Sequence, residues 1–236
     1  MALRLSKKIL VAAAVLAMTL GGVNAFAIEG VTQINDAAVQ AQGGYPYKIK
    51  LSGSYRLTGN LTPGGADGIE VSASNVTIDL NGFSIIGSSG SGIGILADTG
   101  VTAVSVHNGT ISAMGGAGIS LGDSSAIEDV VVSGNASGIA IGGQGIVSHS
   151  VLSGNKGIGI SVTGSGAVVI ENSISGNTGY GLELYDGTSG YARNVVSDND
   201  GNGTFASPLN QIKIITPASS YTNQIGLNLC NGGTCP

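Results

Sequence analysis

The sequence predicts an all-β fold: a solenoid of about seven to eight stacked coils, in which each repeat contributes short parallel strands. The first observation behind this prediction is a recurring tetrapeptide, glycine–aliphatic–any–aliphatic. Its copies begin at Gly68, Gly92, Gly118, Gly138, Gly159 and Gly181. Successive copies therefore start 24, 26, 20, 21 and 22 residues apart. A strand-like motif at this spacing is typical of one coil per repeat.

The second observation is a series of asparagines in phase with the tetrapeptide. Asn135, Asn155, Asn177 and Asn199 each follow a short apolar strand. Stacked coils would bring these amides above one another, so we expect a hydrogen-bonded ladder, with each asparagine in the left-handed backbone region. Four unrelated surface turns are the alternative.

Within each tetrapeptide the two aliphatic residues share one face, because side chains alternate along a strand. Ile139 and Ile141, or Ile160 and Val162, are thus predicted to point into a continuous apolar core. The residue between them points outward. The outward residue is Glu70 in the first tetrapeptide, is small in the middle coils, and is charged again at Glu183.

Residues 1–27 have the pattern of a secretory signal peptide. Arg4, Lys7 and Lys8 precede an apolar run that is too short to span a bilayer, and Ala25-Phe26-Ala27 resembles a cleavage site. We therefore predict an exported protein, periplasmic or extracellular, without a membrane span. Residues 28–236 would form one domain. Residues 28–66 would contribute the N-terminal cap and first strands, 67–218 the coils, and 219–236 the C-terminal cap.

Composition argues against disorder and against a nucleic-acid partner. The chain is 42% hydrophobic and only 10% charged, although it contains 41 glycines; disordered segments show the reverse balance. Removing the signal peptide leaves six basic against fourteen acidic residues, a net charge of −8. Nucleic acid binding needs a basic surface.

The two cysteines, Cys230 and Cys235, predict one disulfide that clips the C-terminal tail; two free thiols are the alternative.

Several segments resemble right-handed parallel β-helix proteins of the pectin-lyase-like superfamily. They are the opening segments 43–47, 53–61 and 75–87, together with the tail 230–236, and they are similar to exported bacterial members, most without an assigned activity. The superfamily includes pectate lyases, polygalacturonases and alginate epimerases. The resemblance therefore implies a right-handed parallel β-helix and a role with polysaccharides, although fold alone does not determine function.

The carboxylate and histidine motifs of polygalacturonases and alginate epimerases do not occur in this sequence. Neither His107 nor His149 has a possible catalytic partner at a spacing that would indicate an active site. We expect both histidines at strand edges or on the solvent face. Whether the protein is an enzyme is left open; any activity would resemble that of a polysaccharide lyase.

One candidate site lies in the sixth and seventh coils, where Lys213 is expected to stack beside Glu183 at about 5 Å, the strand spacing. Weak catalytic candidates are Glu183, Lys213 and Arg193, and substrate-binding candidates are Tyr180, Tyr185, Tyr191 and Asp186. Tyrosine rings can lie against sugar faces while their hydroxyls stay wet, and an arginine can clamp a carboxylate. The alternative is an exposed ion pair beside tyrosines that cover the end of the core.

A second candidate is the loop at 198–204. Asp198, Asp200 and Asn202 match the start of a calcium loop, but a leucine stands where that loop requires a glutamate. Calcium is thus a candidate cofactor, and an ordinary Asx-rich turn is the alternative.

Two functions fit these observations. The first is an exported β-helix that binds or processes extracellular polysaccharide. The second is a non-enzymatic surface or scaffold protein, which the smooth outward face favours. The sequence leaves the polysaccharide and the oligomeric state undetermined.

Overall fold

The computed structural model describes residues 30–88, 90, 92–185, 188–200, 211–215, 223–224, 226–230 and 233–234. It confirms the all-β parallel solenoid. Strands from successive coils pair in parallel, and the backbone turns three corners per coil, so the strands lie on three faces, here called sheets 1, 2 and 3. Sheets 2 and 3 are parts of one 16-stranded hydrogen-bonded sheet. In the described residues no helix is long and apolar enough to cross a membrane.

Sheet 1 contains eight strands, most of them from the tetrapeptide repeats. They are β2 (Tyr47–Ile49), β5 (Ile69–Val71), β8 (Ile95–Ala97), β10 (Ala117–Leu121), β12 (Ser137–Ile141), β15 (Ile160–Val162), β18 (Leu182–Leu184) and β21 (Ile212–Ile214).

Sheets 2 and 3 are joined by two long strands that run through the corner between them, β9 (Val104–Ser112) and β11 (Ala126–Ser133). The remaining strands of sheet 2 are β1 (Val31–Ile34), β3 (Gly53–Leu57), β6 (Val76–Asp79), β13 (Ile146–Ser148), β16 (Val168–Ile170), β19 (Gly190–Ala192) and β22 (Asn223–Gln224). Those of sheet 3 are β4 (Leu61–Gly64), β7 (Ser84–Gly87), β14 (Val151–Ser153), β17 (Ser173–Ser175), β20 (Val195–Ser197), β23 (Leu229–Cys230) and β24 (Gly233–Thr234).

The core is the aliphatic column that the tetrapeptides predict. Ile139 pairs with Ile160, which pairs with Leu182, and all three are at most 2% exposed. Sheets 2 and 3 add further columns from their inward positions, such as Val169 and Leu152. Because each column continues through the stack, every coil buries its apolar side chains against the coils on both sides.

The leading glycine of the tetrapeptide is required by close approach rather than by an unusual backbone angle. A Cβ on Gly159 would lie 2.6 Å from the carbonyl oxygen of Gly181 and 2.7 Å from a methyl group of Ile174. At Gly138 it would lie 2.1 Å from the oxygen of Gly159. Any larger side chain would push adjacent coils apart.

The predicted asparagine ladder is confirmed. The side-chain nitrogen of Asn135 donates to Asn155 Oδ1 at 3.0 Å, Asn155 donates to Asn177 at 2.9 Å, and Asn177 donates to Asn199 at 2.7 Å. Gln211 ends the ladder by accepting from Asn199 at 2.9 Å. All five side chains are buried, so the ladder satisfies polar groups at the corner between sheets 3 and 1.

The expected backbone conformation of these asparagines was wrong. The left-handed residue is the one before the asparagine: Gly134, Gly154 and Gly176 have φ of 67°, 62° and 65°, and Asp198 has φ of 55°. The positive φ at this preceding position turns the chain so that the asparagine side chain points inward under the corner.

A second ladder, which the sequence analysis missed, lies at the corner between sheets 2 and 3. Asn172 donates to Asn194 at 3.0 Å, and Asn194 donates to Asn228 at 2.9 Å. Below them, the backbone N–H of Ser150 donates to Asn172 Oδ1 at 3.0 Å. Again the preceding residues have positive φ: His149, Glu171 and Arg193. Their side chains are consequently displayed on the outside of this corner.

The first coil is covered by a short helix, α1 (Asp36–Ala41), which buries Val39. Asn35 caps it by accepting the N–H of Ala38 at 3.0 Å. At the other end of the chain, β24 pairs antiparallel with β23. Cys230 is 1% exposed. Cys235 lies outside the described residues, so the disulfide stays a prediction.

Candidate functional site

The outward residues of sheet 1 form one continuous column, which we call the outward stripe. In register order it contains Lys48, Glu70, Leu96, Ser120, Ala140, Ser161, Glu183 and Lys213. A lysine–glutamate pair stands at each end, and the residues between the pairs are uncharged. The two glutamates are five strand steps apart, about 24 Å.

The predicted juxtaposition of Glu183 and Lys213 is confirmed. The two residues are register partners on β18 and β21, and Lys213 Nζ lies 2.8 Å from Glu183 Oε1. The alternative prediction, an exposed ion pair, is correct for Lys213 and wrong for Glu183. The Lys213 side chain is 39% exposed, but that of Glu183 is only 2% exposed. Its second oxygen, Oε2, is also buried and has no hydrogen-bond partner in the part of the chain that the structure describes.

Two tyrosines flank this pair. Lys213 Nζ lies 4.7 Å from the centre of the Tyr180 ring, which is a cation–π contact. Hydrogen bonding to Glu183 and the negative charge of Glu183 raise the pKa of Tyr185. Oε2 itself has no hydrogen-bond partner among the described residues, so we count it as an unfilled acceptor. Tyr185 is 44% exposed.

By contrast, two predicted members of the site lie elsewhere. Tyr191 is 2% exposed on β19 and belongs to the core, because it occupies an inward position of sheet 2. Burial raises the pKa of its hydroxyl. Arg193 follows on the outside of the corner between sheets 2 and 3, where it pairs with Glu171 at 2.6 Å. The prediction that Tyr191 contacts a sugar, and that Arg193 belongs to the same site as Glu183, was therefore wrong.

Part of the remaining predictions falls outside the described residues, namely Asp186 and Asn202. Asp198 is exposed, and Asp200 has one buried side-chain oxygen, Oδ1, without a hydrogen-bond partner among the described residues. The described residues contain no group of three or more acidic, histidine or cysteine side chains arranged to hold a metal ion. Calcium binding stays a prediction.

A separate charged cluster stands on the corner between sheets 2 and 3. Glu171 lies 2.5 Å from His149 Nε2 and 2.6 Å from Arg193 Nε. Hydrogen bonding from Arg193, with a further contribution from His149, lowers the pKa of Glu171. This cluster was not predicted from the sequence. The separation of 22 residues between Glu171 and Arg193, one coil length, was the signal that could have revealed it.

A similar contact holds the early coils together. Asp79 accepts hydrogen bonds from the backbone N–H of Asn81 at 2.7 Å and from Arg56 Nε at 2.9 Å, and it lies 3.8 Å from His107. Burial tends to raise its pKa, but the hydrogen bonds from Asn81, Arg56 and Asn108 outweigh burial, so the pKa of Asp79 is lowered. Asp79 thus stabilises the turn at Asn81 and links successive coils.

Comparison with known families agrees with this architecture. The family model for a right-handed β-helix region matches residues 91–234, more than half of the chain. The chain belongs to the right-handed β-helix family. The match covers both ladders and the Glu183–Lys213 pair, and the pectin-lyase-like superfamily is consistent with it. No curated protein matches significantly, and no solved structure does either.

The protonation states at the end of the stripe of this β-helix follow from its contacts. Hydrogen bonding to Glu183 raises the pKa of Lys213 above its ordinary value near 10.5, and the charge of Glu183 adds to this. The pKa of Tyr185 is also raised. Both groups therefore keep their protons at neutral pH, and neither is a ready base for proton abstraction from a sugar. The pair is better suited to hydrogen bonding than to proton transfer.

The same shifts predict that the β-helix loses stability in alkali. The pKa values of Tyr45, Tyr47, Tyr55, Tyr185 and Tyr191 are raised, that of Tyr45 to about 12. A raised folded pKa gives stability that is complete below the unfolded value of about 10 and is lost as pH rises through the folded value. We expect the melting temperature to fall above about pH 10. Tyrosinate absorbance should appear together with unfolding.

Circular dichroism melts across the alkaline range test this expectation. Tyr45→Phe serves as a comparison, because it removes the hydroxyl whose pKa is shifted furthest while keeping the ring. A variant that loses less stability in alkali than the parent supports the assignment. Free titration of all tyrosines near pH 10 in a folded protein would contradict it.

Proposed function

We propose that this protein is an exported β-helix that binds a polysaccharide on the outward stripe of sheet 1, at the end formed by β18 and β21. The observation that carries the proposal is the pair of tyrosines at the Glu183–Lys213 ion pair: Tyr180 contacts Lys213, and Tyr185 interacts with the buried carboxylate of Glu183. Export rests on the signal-peptide pattern of residues 1–27.

The chemistry of these side chains supports sugar binding. A tyrosine offers an apolar ring face and a hydrogen-bonding hydroxyl, and a sugar offers C–H groups on its faces and hydroxyls at its edge. The small residues Ser120, Ala140 and Ser161 leave the stripe unobstructed next to the tyrosines. An extended chain can lie along such a surface with few steric conflicts.

Binding without cleavage is the form of the function that the site favours. A lyase requires a base that accepts a proton, whereas Lys213 and Tyr185 hold theirs at neutral pH. A hydrolase requires two carboxylates across the scissile bond, and along the described stripe the second carboxylate, Glu70, is about 24 Å from Glu183.

Affinity electrophoresis in gels containing single polysaccharides tests the proposal. We expect the parent protein to be retarded by at least one polysaccharide, and Tyr180→Ala and Tyr185→Ala to weaken the retardation about tenfold each, within the range measured for aromatic contacts. Val195→Ala, which truncates an exposed side chain on sheet 3, is the matched control and should leave retardation unchanged.

Two results would count against this function. If no polysaccharide retards the protein, the alternative of a non-enzymatic scaffold is favoured. If the protein releases unsaturated sugar ends, measured by their ultraviolet absorbance, then the site is catalytic and the assignment of binding alone is wrong.

A further inference from the structure

We infer that the polysaccharide bound on the outward stripe is neutral and hydroxyl-rich rather than a polyuronate. This inference rests on the proposed function and specifies the class of its ligand. Three features support it: the ion pairs that the stripe's lysines make, the oxygen of Glu183 that has no hydrogen-bond donor among the described residues, and the net negative charge of the protein.

Both lysines on the stripe are already neutralised. Lys213 is 2.8 Å from Glu183, and Lys48 is 3.2 Å from Glu70. A uronate carboxylate is attracted most strongly by a cation whose charge no other carboxylate already balances. To recruit Lys213, it would have to compete with a carboxylate that is 2% exposed and already in contact. Separating the pair would leave Glu183 buried and unpaired, which is strongly unfavourable.

The atom at this site that has no hydrogen-bond partner among the described residues is an acceptor. Glu183 Oε2 is buried and has no donor among the described residues. A sugar hydroxyl can donate to it. A uronate also carries hydroxyls, but its carboxylate offers only lone pairs and would be repelled by the Glu183 carboxylate. Tyr185, which interacts with the Glu183 side chain, is 44% exposed, so its rotation can admit a hydroxyl without disturbing the core. An unsatisfied buried carboxylate oxygen gains a charge-assisted hydrogen bond in this way.

The electrostatic field of the molecule favours the same ligand. The full chain carries a net charge of −5, and the stripe, with two lysines and two glutamates, adds no positive patch. A polyanion approaching such a surface is repelled over distances up to the Debye length, whereas a neutral chain is not.

The experiment compares the retardation of the parent protein by a neutral polysaccharide panel (a β-glucan, a mannan and a xylan) with its retardation by polygalacturonate and alginate. We expect at least one neutral polysaccharide to retard the protein, and this retardation should hardly change with salt concentration. We expect no retardation by the polyuronates. Glu183→Gln keeps the size of the side chain but releases Lys213. It should weaken binding to the neutral polysaccharide about tenfold and allow salt-sensitive retardation by polyuronates.

Glu70→Gln is the matched control, because Glu70 occupies the same register position at the opposite end of the stripe and is paired with Lys48 in the same way. It should leave binding to the neutral polysaccharide unchanged. Circular dichroism verifies that each variant is folded; if Glu183→Gln is not, the salt dependence of the parent protein decides.

The outcomes separate the two proposals. Retardation by polyuronates, weakened by salt, would overturn the neutral ligand and leave polysaccharide binding standing. Retardation by neither panel would overturn polysaccharide binding itself. Loss of neutral binding in Glu70→Gln but not in Glu183→Gln would overturn the assignment to Glu183.

Discussion

Replacing Ile160 with aspartate is expected to abolish folding. Ile160 is fully buried on β15, in register between Ile139 and Leu182 in the core column of sheet 1. An aspartate there would place an unpaired charge among aliphatic side chains of three consecutive coils. The cost would be at least about 5 kcal/mol, comparable to the whole stability of a typical domain. Far-ultraviolet circular dichroism should show loss of the β signal.

Val151→Asp is the control for this experiment. It makes the same change from a β-branched aliphatic residue to a charge, but on an outward position of β14 that is 39% exposed. We expect it to fold and to melt within a few degrees of the parent, since exposed substitutions usually change stability by about 0.5 kcal/mol or less. If Ile160→Asp melted like Val151→Asp, the inward direction of the tetrapeptide aliphatics would be refuted.

The second large effect is expected from Asn155→Ala. Asn155 is fully buried in the ladder. Its Oδ1 accepts from both the backbone and the side-chain nitrogen of Asn135, and its own side-chain nitrogen donates to Val132 O and to Asn177. Alanine leaves several of these buried groups without partners, at about 1–3 kcal/mol each. We expect a total loss of about 3–6 kcal/mol in the free energy of unfolding.

Urea denaturation measures this loss. Lys156→Ala, at the adjacent exposed position, is the control and should change the free energy of unfolding by about 0.5 kcal/mol or less. A similar small change in Asn155→Ala would mean that water replaces the ladder contacts and that the ladder contributes little to stability.

The two effects have different bearings on the proposed function. The core column and the ladder hold successive strands of sheet 1 in register, and that register places Glu183 beside Lys213. A change in either is expected to remove binding by unfolding the protein. The tyrosine and glutamate variants, in contrast, alter side chains on the outside of the same strands, so binding can change while the fold persists.

Much of this architecture could be predicted because, in a solenoid, residues separated by one coil length along the chain are neighbours in space. The positions of the tetrapeptides therefore predicted the core column, and those of the asparagines predicted the first ladder. The same reasoning placed Lys213 beside Glu183, although they are 30 positions apart in the chain, more than in the preceding repeats.

The second ladder was harder to detect for a physical reason. Its members are Asn172, Asn194 and Asn228, and the last follows a coil of 34 residues rather than 22. The position below Asn172 holds Ser150 instead of an asparagine. A ladder of three members with unequal spacing leaves too little periodic signal to distinguish it from surface turns.

The sequence by itself determined which residues share a column, since the repeat length sets the vertical neighbours of every position. Only the tertiary structure decided whether a side chain near a corner between two sheets faces the core or the solvent. Tyr191 faces the core because it is in register with the buried Val169, whereas Arg193, a left-handed residue, faces solvent beside Glu171. It also decided that Glu183 is buried, because exposure depends on the side chains from neighbouring coils that cover it rather than on its place in the strand.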